Sequence, residues 1–137
     1  MKTEMYLRVA GALQIGLAMA HVFFPKRFNW KEELSRLSPL NHQIFLVHTG
    51  FICLVLLLMG ALSLFAPRTL LHSGSLSRLV LGGFATFWGV RLVVQWFVYD
   101  HKLWLGNSFN TFMHFLFTGL WAYLAGVYAI SLFNQWR

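Results

Sequence analysis

Six polar side chains stand inside otherwise apolar runs of this sequence: His21, His48, Arg91, Gln95, Asn110 and His114. Such groups are costly in hydrocarbon and turn toward a protein interior or a cavity. Arg91 and Gln95 are four residues apart, as are Asn110 and His114, so each pair shares one helix face. Gln14 and His21 are seven apart, and Thr118 carries the stripe of Asn110 and His114 one turn further. Arginine keeps its charge and donates through a planar fork of N–H groups, and no acid is buried near Arg91 in the sequence to pair with it. Together with the carboxamides and imidazoles it would hold a carbonyl or an anionic oxygen, such as a quinone headgroup, a lipid phosphate or a small anion. Histidine titrates near neutral pH, so any general acid–base work would fall to His48 and His114.

The same residues admit other chemistries. Three neutral imidazoles, His21, His48 and His114, could ligate a metal with an open position and make a metal-dependent membrane enzyme. Against this, the apolar runs hold no carboxylate, and Arg91 would sit beside the cation. Haem could use His101 and His114, thirteen residues apart, but Gly106-Asn107 interrupts the helix between them. The polar groups could also bond only one another and fix helix register in a structural subunit of a larger membrane complex. No GxSxG, Gly-rich phosphate loop, HExxH or paired buried carboxylates occurs, which excludes the common soluble hydrolase and nucleotide-binding patterns.

The elements that must position these groups follow from composition. Of 137 residues, 58% are apolar and 11% charged, too few polar groups to cover a water-soluble globule. About 20 helical residues cross a bilayer, and four stretches meet that length: about 5–24, 41–66, 76–99 and 108–133. Helix is the form that satisfies its own amides in lipid, and no alternating strand pattern suggests a barrel. Pro25, Pro67, Ser73-Gly74-Ser75 and Gly106-Asn107-Ser108 mark the breaks. The expectation is an all-α integral membrane four-helix bundle, one transmembrane domain over 1–137, with no internal repeat. Successive spans alternate direction. His21, His48, Arg91, Gln95, Asn110 and His114 then fall within roughly 12 Å of one boundary, forming a single pocket that opens toward the first loop.

In that loop, Pro25–Leu40, Trp30, Leu34 and Leu37 recur at helical spacing, opposite Lys31, Glu32, Glu33 and Arg36. This predicts a short interfacial helix. Trp104 and Trp136 suit the aromatic belt at headgroup depth. The net charge of +7 belongs to segments flanking the apolar runs, so anionic headgroups rather than nucleic acid are the expected neighbour. Lys2, Arg8, Arg68, Arg78 and Arg137 balance Lys26, Arg27, Lys31, Arg36 and Lys102 across the bilayer, leaving a slight lean toward cytoplasmic termini. Gly11, Gly16, Gly82, Gly89, Gly119 and Gly126 predict close helix packing, and Cys53 a core position. His42 and His72 are expected to be interfacial. The first residues lead into a retained helix rather than a cleaved signal.

The run from Gly16 through His21 to Pro25, with Phe28, Trp30, Pro39 and Gly50, and the closing Gly60-Ala61-Leu62-Ser63-Leu64-Phe65-Ala66-Pro67-Arg68, resembles the DoxX-like four-helix membrane proteins over about residues 10–70. Members usually carry an acidic residue in the second span, where this chain has His48 and Gly50. The resemblance implies a four-helix bundle associated with quinol-linked oxidoreductases, often as a small subunit. His21 is the residue that it carries over.

Overall fold

The computed structural model describes residues 2–100, 102 and 107–136. Every regular element among them is helical: α1 (Lys2–Ala20), α2 (Phe24–Arg27), α3 (Trp30–Glu33), α4 (Pro39–Phe65), α5 (Pro67–Leu71), α6 (Ser75–Phe97) and α7 (Ser108–Phe133). Four helical stretches, Lys2–Arg27, Pro39–Phe65, Ser75–Phe97 and Ser108–Trp136, are long and apolar enough to cross a membrane. The shortest has 23 residues, about 35 Å at 1.5 Å per residue, which exceeds the hydrocarbon thickness of about 30 Å.

Local chemistry explains the helix ends. Pro39 occupies the first turn of α4, where a missing N–H costs nothing, and Ser38 caps it by accepting from the Asn41 N–H at 3.4 Å. α4 therefore begins two residues before the expected span. Asn107 caps α7 more fully, its Oδ1 accepting from the N–H groups of Phe109 and Asn110 at 3.0 and 3.1 Å. Pro25 and Pro67 do not simply stop a helix: each stands in the first turn of a new short one, α2 and α5.

In the first loop the expected short helix forms from Trp30 to Arg36, as α3 running directly into a 3-10 turn at Leu34–Arg36, and α2 precedes it. Asn29, at φ 48°, breaks α2 from α3 in the left-handed region that Asn tolerates better than most residues, and Leu37, at φ −84° and ψ 155°, ends the helical run. Leu34 is buried, Trp30 packs edge-on against Phe45 with centroids 4.9 Å apart, and Leu37 is exposed.

The chain forms two compact units, Met1–Leu7 with Pro67–Arg137, and Arg8–Ala66. In the second, α1 buries Ala10, Gln14 and Ala18 on one stripe, and α4 buries Leu56, Met59, Gly60 and Ser63. The two stripes meet at Gly11 and Gly60. A Cβ on Gly11 would lie 2.6 Å from the Gly60 carbonyl oxygen, and one on Gly60 would lie 2.9 Å from the Gly11 oxygen. Backbones this close require glycine on both sides. The other glycines expected to pack are looser: Gly16, Gly89, Gly119 and Gly126 have open space where a Cβ would go, and Gly82 has ordinary contact with Leu132 at 3.8 Å. Cys53 is half-buried rather than a core residue.

The first unit is built on α6 against α7. Leu81, Trp88 and Gln95 fall at heptad spacing on α6, and Trp121, Leu124, Tyr128 and Ser131 line the facing stripe of α7; all seven are buried. Phe84 meets Tyr128 edge-on at 5.1 Å, and Trp88 stacks on Trp121 at 5.1 Å. At one end the unit is tied by the Glu4–Arg68 ion pair at 3.2 Å, by Gln135 Nε2–H donating to the Leu70 carbonyl at 2.6 Å, and by Arg78 over the exposed Trp136 ring at 4.7 Å. The outward faces of α6 and α7 carry Val90, Val93, Phe97, Phe112, Phe115 and Ile130, all exposed.

Candidate functional site

Arg91, Gln95 and His114 come together in the α6–α7 unit, as their depth and spacing predict. Arg91 reaches Gln95 one turn along its own helix, its Nη1–H donating to Oε1 at 3.3 Å. Gln95 Nε2 meets His114 Nδ1 on α7 at 2.9 Å. A fourth member, not foreseen, completes the group: the Trp121 indole Nε1–H donates to the same Gln95 Oε1 at 3.3 Å. Gln95 and Trp121 are each 4% exposed, whereas Arg91 and His114 are half-buried.

The Arg91 guanidinium is flanked by aromatic rings. Its Cζ lies 4.8 Å from the Trp121 centroid and 5.6 Å from that of Tyr99. Ring quadrupoles attract a cation by about 0.5–2 kcal/mol each, most where water is excluded. Trp121 is itself held between Phe117 at 5.5 Å and Trp88 at 5.1 Å, both stacked to within 16° of parallel. The charge therefore rests on a stiff aromatic column. Among the described residues no carboxylate is paired with Arg91, the ion pair described in the chain being Glu4–Arg68.

Each of the other expected ligands has its own surroundings. Asn110 is half-buried in the first turn of α7, where its backbone N–H is capped by Asn107. Thr118 Oγ1 is buried and finds no hydrogen-bond partner among the described residues. His21 and His48 belong to the other unit. His21, half-buried in the 3-10 turn at His21–Phe23, donates through Nδ1 to the Leu17 carbonyl at 2.8 Å and tilts against Phe24 at 4.5 Å. His48 donates through Nδ1 to the Ile44 carbonyl at 2.8 Å and is exposed. Among the described residues no three His, Cys, Asp or Glu side chains are grouped so as to hold a metal ion. His101, the second histidine weighed for haem, and Trp104 lie outside the described residues. His72 is exposed and His42 half-buried.

A shallow groove of about 510 Å³ lies over the first two turns of α7, lined by Asn107, Ser108, Thr111, Phe112 and Phe115. None of the six expected ligand residues lines it. Phe115 stands edge-on to His114 at 5.8 Å.

Trp88 and Trp121 had a legible signal. Trp88 precedes Gln95 by seven residues and Trp121 follows His114 by seven, which places each on the stripe of its polar neighbour. In a chain with 18% aromatic residues that signal is diluted by the many rings elsewhere.

Comparison of the chain with protein-family models, with curated proteins and with solved structures found no match. What the site can do therefore follows from its own groups. Arg91 offers fixed positive charge and a fork of donors, while Trp121 has its donor on Gln95 and its ring against Trp88, Phe117 and Arg91, and the Gln95 carboxamide is filled by three partners.

Proposed function

We propose that this chain is a multi-pass integral membrane protein whose Arg91–Gln95–His114 site binds a small hydrophobic ligand through an acceptor oxygen, either a quinone carbonyl or the anionic headgroup of a lipid. The observation that carries this reading is the state of Arg91: a half-buried guanidinium on a helix able to span a membrane, braced by Trp121 and Tyr99, with no carboxylate beside it among the described residues. A cation at such depth costs several kcal/mol unless paired or solvated. Gln95 supplies one neutral acceptor, and an acceptor on a bound ligand supplies the rest. Exposed Val93, Phe97, Phe112 and Phe115 on the same helices suit an apolar tail or lipid chains.

The DoxX-like resemblance agrees with this, since it implies a small subunit working beside quinol-linked oxidoreductases. In that role the chain would contribute a ligand site and other subunits the redox centres. The even number of spans puts both termini on one side, for which the cytoplasm is proposed.

The test is retention. Protein purified gently in mild detergent should carry a quinone or an anionic lipid detectable by mass spectrometry, and Arg91→Ala should lose it while accumulating to a similar level. Two forms separate the sources: extraction from quinone-deficient cells removes one, and exchange into neutral lipid removes the other.

A second reading has its own support. Gln95 is buried and satisfied three times over within the protein, which is what a packing device requires. On that account the chain is a structural subunit whose polar cluster fixes α6 against α7. It predicts that Arg91→Ala abolishes accumulation and that no small molecule is ever recovered.

A further inference from the structure

The geometry points to Gln95 as a positioning residue that sets the tautomer of His114, fixing its proton on Nε2, so that any hydrogen bond made at that nitrogen is one in which histidine donates. The inference deepens the ligand reading above, because it makes the polar edge of the site a set of donors and the preferred ligand an acceptor. Its structural half stands without that reading.

Donor and acceptor types fix the orientation of each group. Arginine and the indole of tryptophan have donors and no acceptors. Arg91 Nη1–H and Trp121 Nε1–H both converge on one end of the Gln95 amide, at 3.3 Å each. That end must be the carbonyl oxygen, since an amide nitrogen there would face two donors. With two lone pairs and two donors, Oε1 is filled. The NH₂ end is then the one that meets His114 Nδ1, at 2.9 Å, and it can only donate. Nδ1 accepts through its lone pair, and a neutral imidazole with a bare Nδ1 carries its hydrogen on Nε2.

His114 is set apart by this from the other buried or spanning histidines whose contacts are described. His21 and His48 each place Nδ1 at 2.8 Å from the carbonyl oxygen four residues earlier. A carbonyl only accepts, so those rings carry the proton on Nδ1. Three histidines in apolar runs thus divide into two tautomer classes: Nε2–H at His114, and Nδ1–H at His21 and His48. The difference arises because Gln95 displaces the backbone as the partner of Nδ1. The lock depends on the aromatic column as well, since Trp121 is one of the two donors that prevent the amide from rotating.

The test is a nitrogen-15 spectrum of the full-length protein with labelled histidine, reconstituted in lipid nanodiscs, with His114 assigned by its loss in His114→Asn. The expected wild-type pattern is Nδ1 of the unprotonated type and Nε2 of the protonated type at His114, with the reverse at His21 and His48. In Gln95→Glu the carboxylate offers acceptors only, so Nδ1 of His114 should gain a proton. In Gln95→Leu the constraint is gone, and the two tautomers should mix. A wild-type His114 already protonated on Nδ1, or a Gln95→Glu spectrum identical to wild type, overturns the assignment. Should the variants fail to accumulate, the wild-type spectrum alone decides.

Binding of a short-chain benzoquinone to the same samples separates this inference from the ligand reading. Gln95→Glu should weaken it about tenfold or more, because a carboxylate beside Arg91 competes with the ligand oxygen for the cation. The expected tautomer in a protein that binds no quinone or anionic lipid refutes the ligand reading and leaves the positioning role standing. Quinone binding with the opposite tautomer does the reverse.

Discussion

Trp88 and Trp121 stack with ring centroids 5.1 Å apart and planes 16° from parallel, and the second of them also holds the Gln95 amide through its indole N–H. One residue thus joins the aromatic column between α6 and α7 to the polar group above it in the same interface. Two substitutions divide these roles. Trp121→Phe keeps an aromatic face for Trp88, Phe117 and Arg91 but removes the bond to Gln95. It should cost about 0.5–1.5 kcal/mol. Trp121→Ala also removes the stacking and the cation–π contact and should cost about 3–5 kcal/mol. Thermal unfolding in detergent measures both. Equal losses for the two variants would mean that the indole hydrogen bond, and not the column, holds the helices.

Removal of the amide gives a second expectation. Gln95→Leu conserves most of the volume but leaves the Arg91 and Trp121 donors without their shared acceptor. A buried donor stripped of its partner costs about 1–3 kcal/mol. The melting temperature should fall, and Gln95→Glu should recover part of the loss because its carboxylate accepts from both. Leucine behaving as wild type would show that the network contributes nothing to stability.

The glycines separate by packing. At Gly11 a methyl group would strike the Gly60 oxygen and the Leu64 nitrogen, each at 2.6 Å, and backbone cannot move aside as a side chain can. Gly11→Ala should therefore destabilise the Arg8–Ala66 unit by about 1–3 kcal/mol. Gly126→Ala meets open space and should instead be neutral or stabilising by up to about 1 kcal/mol, the helix-propensity difference. Parallel melts of the two variants check the contrast.

Topology makes a fourth expectation. Ser35 lies between the first two helices long enough to span, and Ser73 between the second and third. In a Cys53→Ser background, Ser35→Cys and Ser73→Cys should react with a membrane-impermeant maleimide from opposite sides of sealed vesicles. Labelling from the same side would contradict four spans.

Much of this architecture was legible before the structure. The bounds of α7 match because Asn107 is a strong cap and Phe133 ends the apolar run. Arg91, Gln95 and His114 were found together because depth and i, i+4 spacing fix height and face on two antiparallel helices. His48 shows the limit of that reasoning: its height in α4 says nothing of its azimuth, and a neighbouring backbone carbonyl satisfies the ring while it stays exposed. In the first loop the helical spacing of Trp30 and Leu34 is realised from Trp30 to Arg36, whereas the break from α2 at Asn29, in the left-handed region, left no mark on that spacing. The close crossing at Gly11 needed its partner, Gly60, and spacing along one chain cannot pair glycines on two helices.

The central claim is that Arg91 holds an acceptor oxygen of a bound ligand. Its most direct measurement is a titration of the full-length protein in nanodiscs with a short-chain benzoquinone and, separately, with vesicle-derived anionic phospholipid, read by quenching or shift of Trp121 fluorescence against a Trp121→Phe control. The account predicts saturable binding of at least one of them to wild type, weakened about tenfold or more in Arg91→Ala and less in Arg91→Lys, which keeps the charge but loses the fork. Equal affinity in wild type and Arg91→Ala, or no saturable binding of either ligand to wild type, would contradict it.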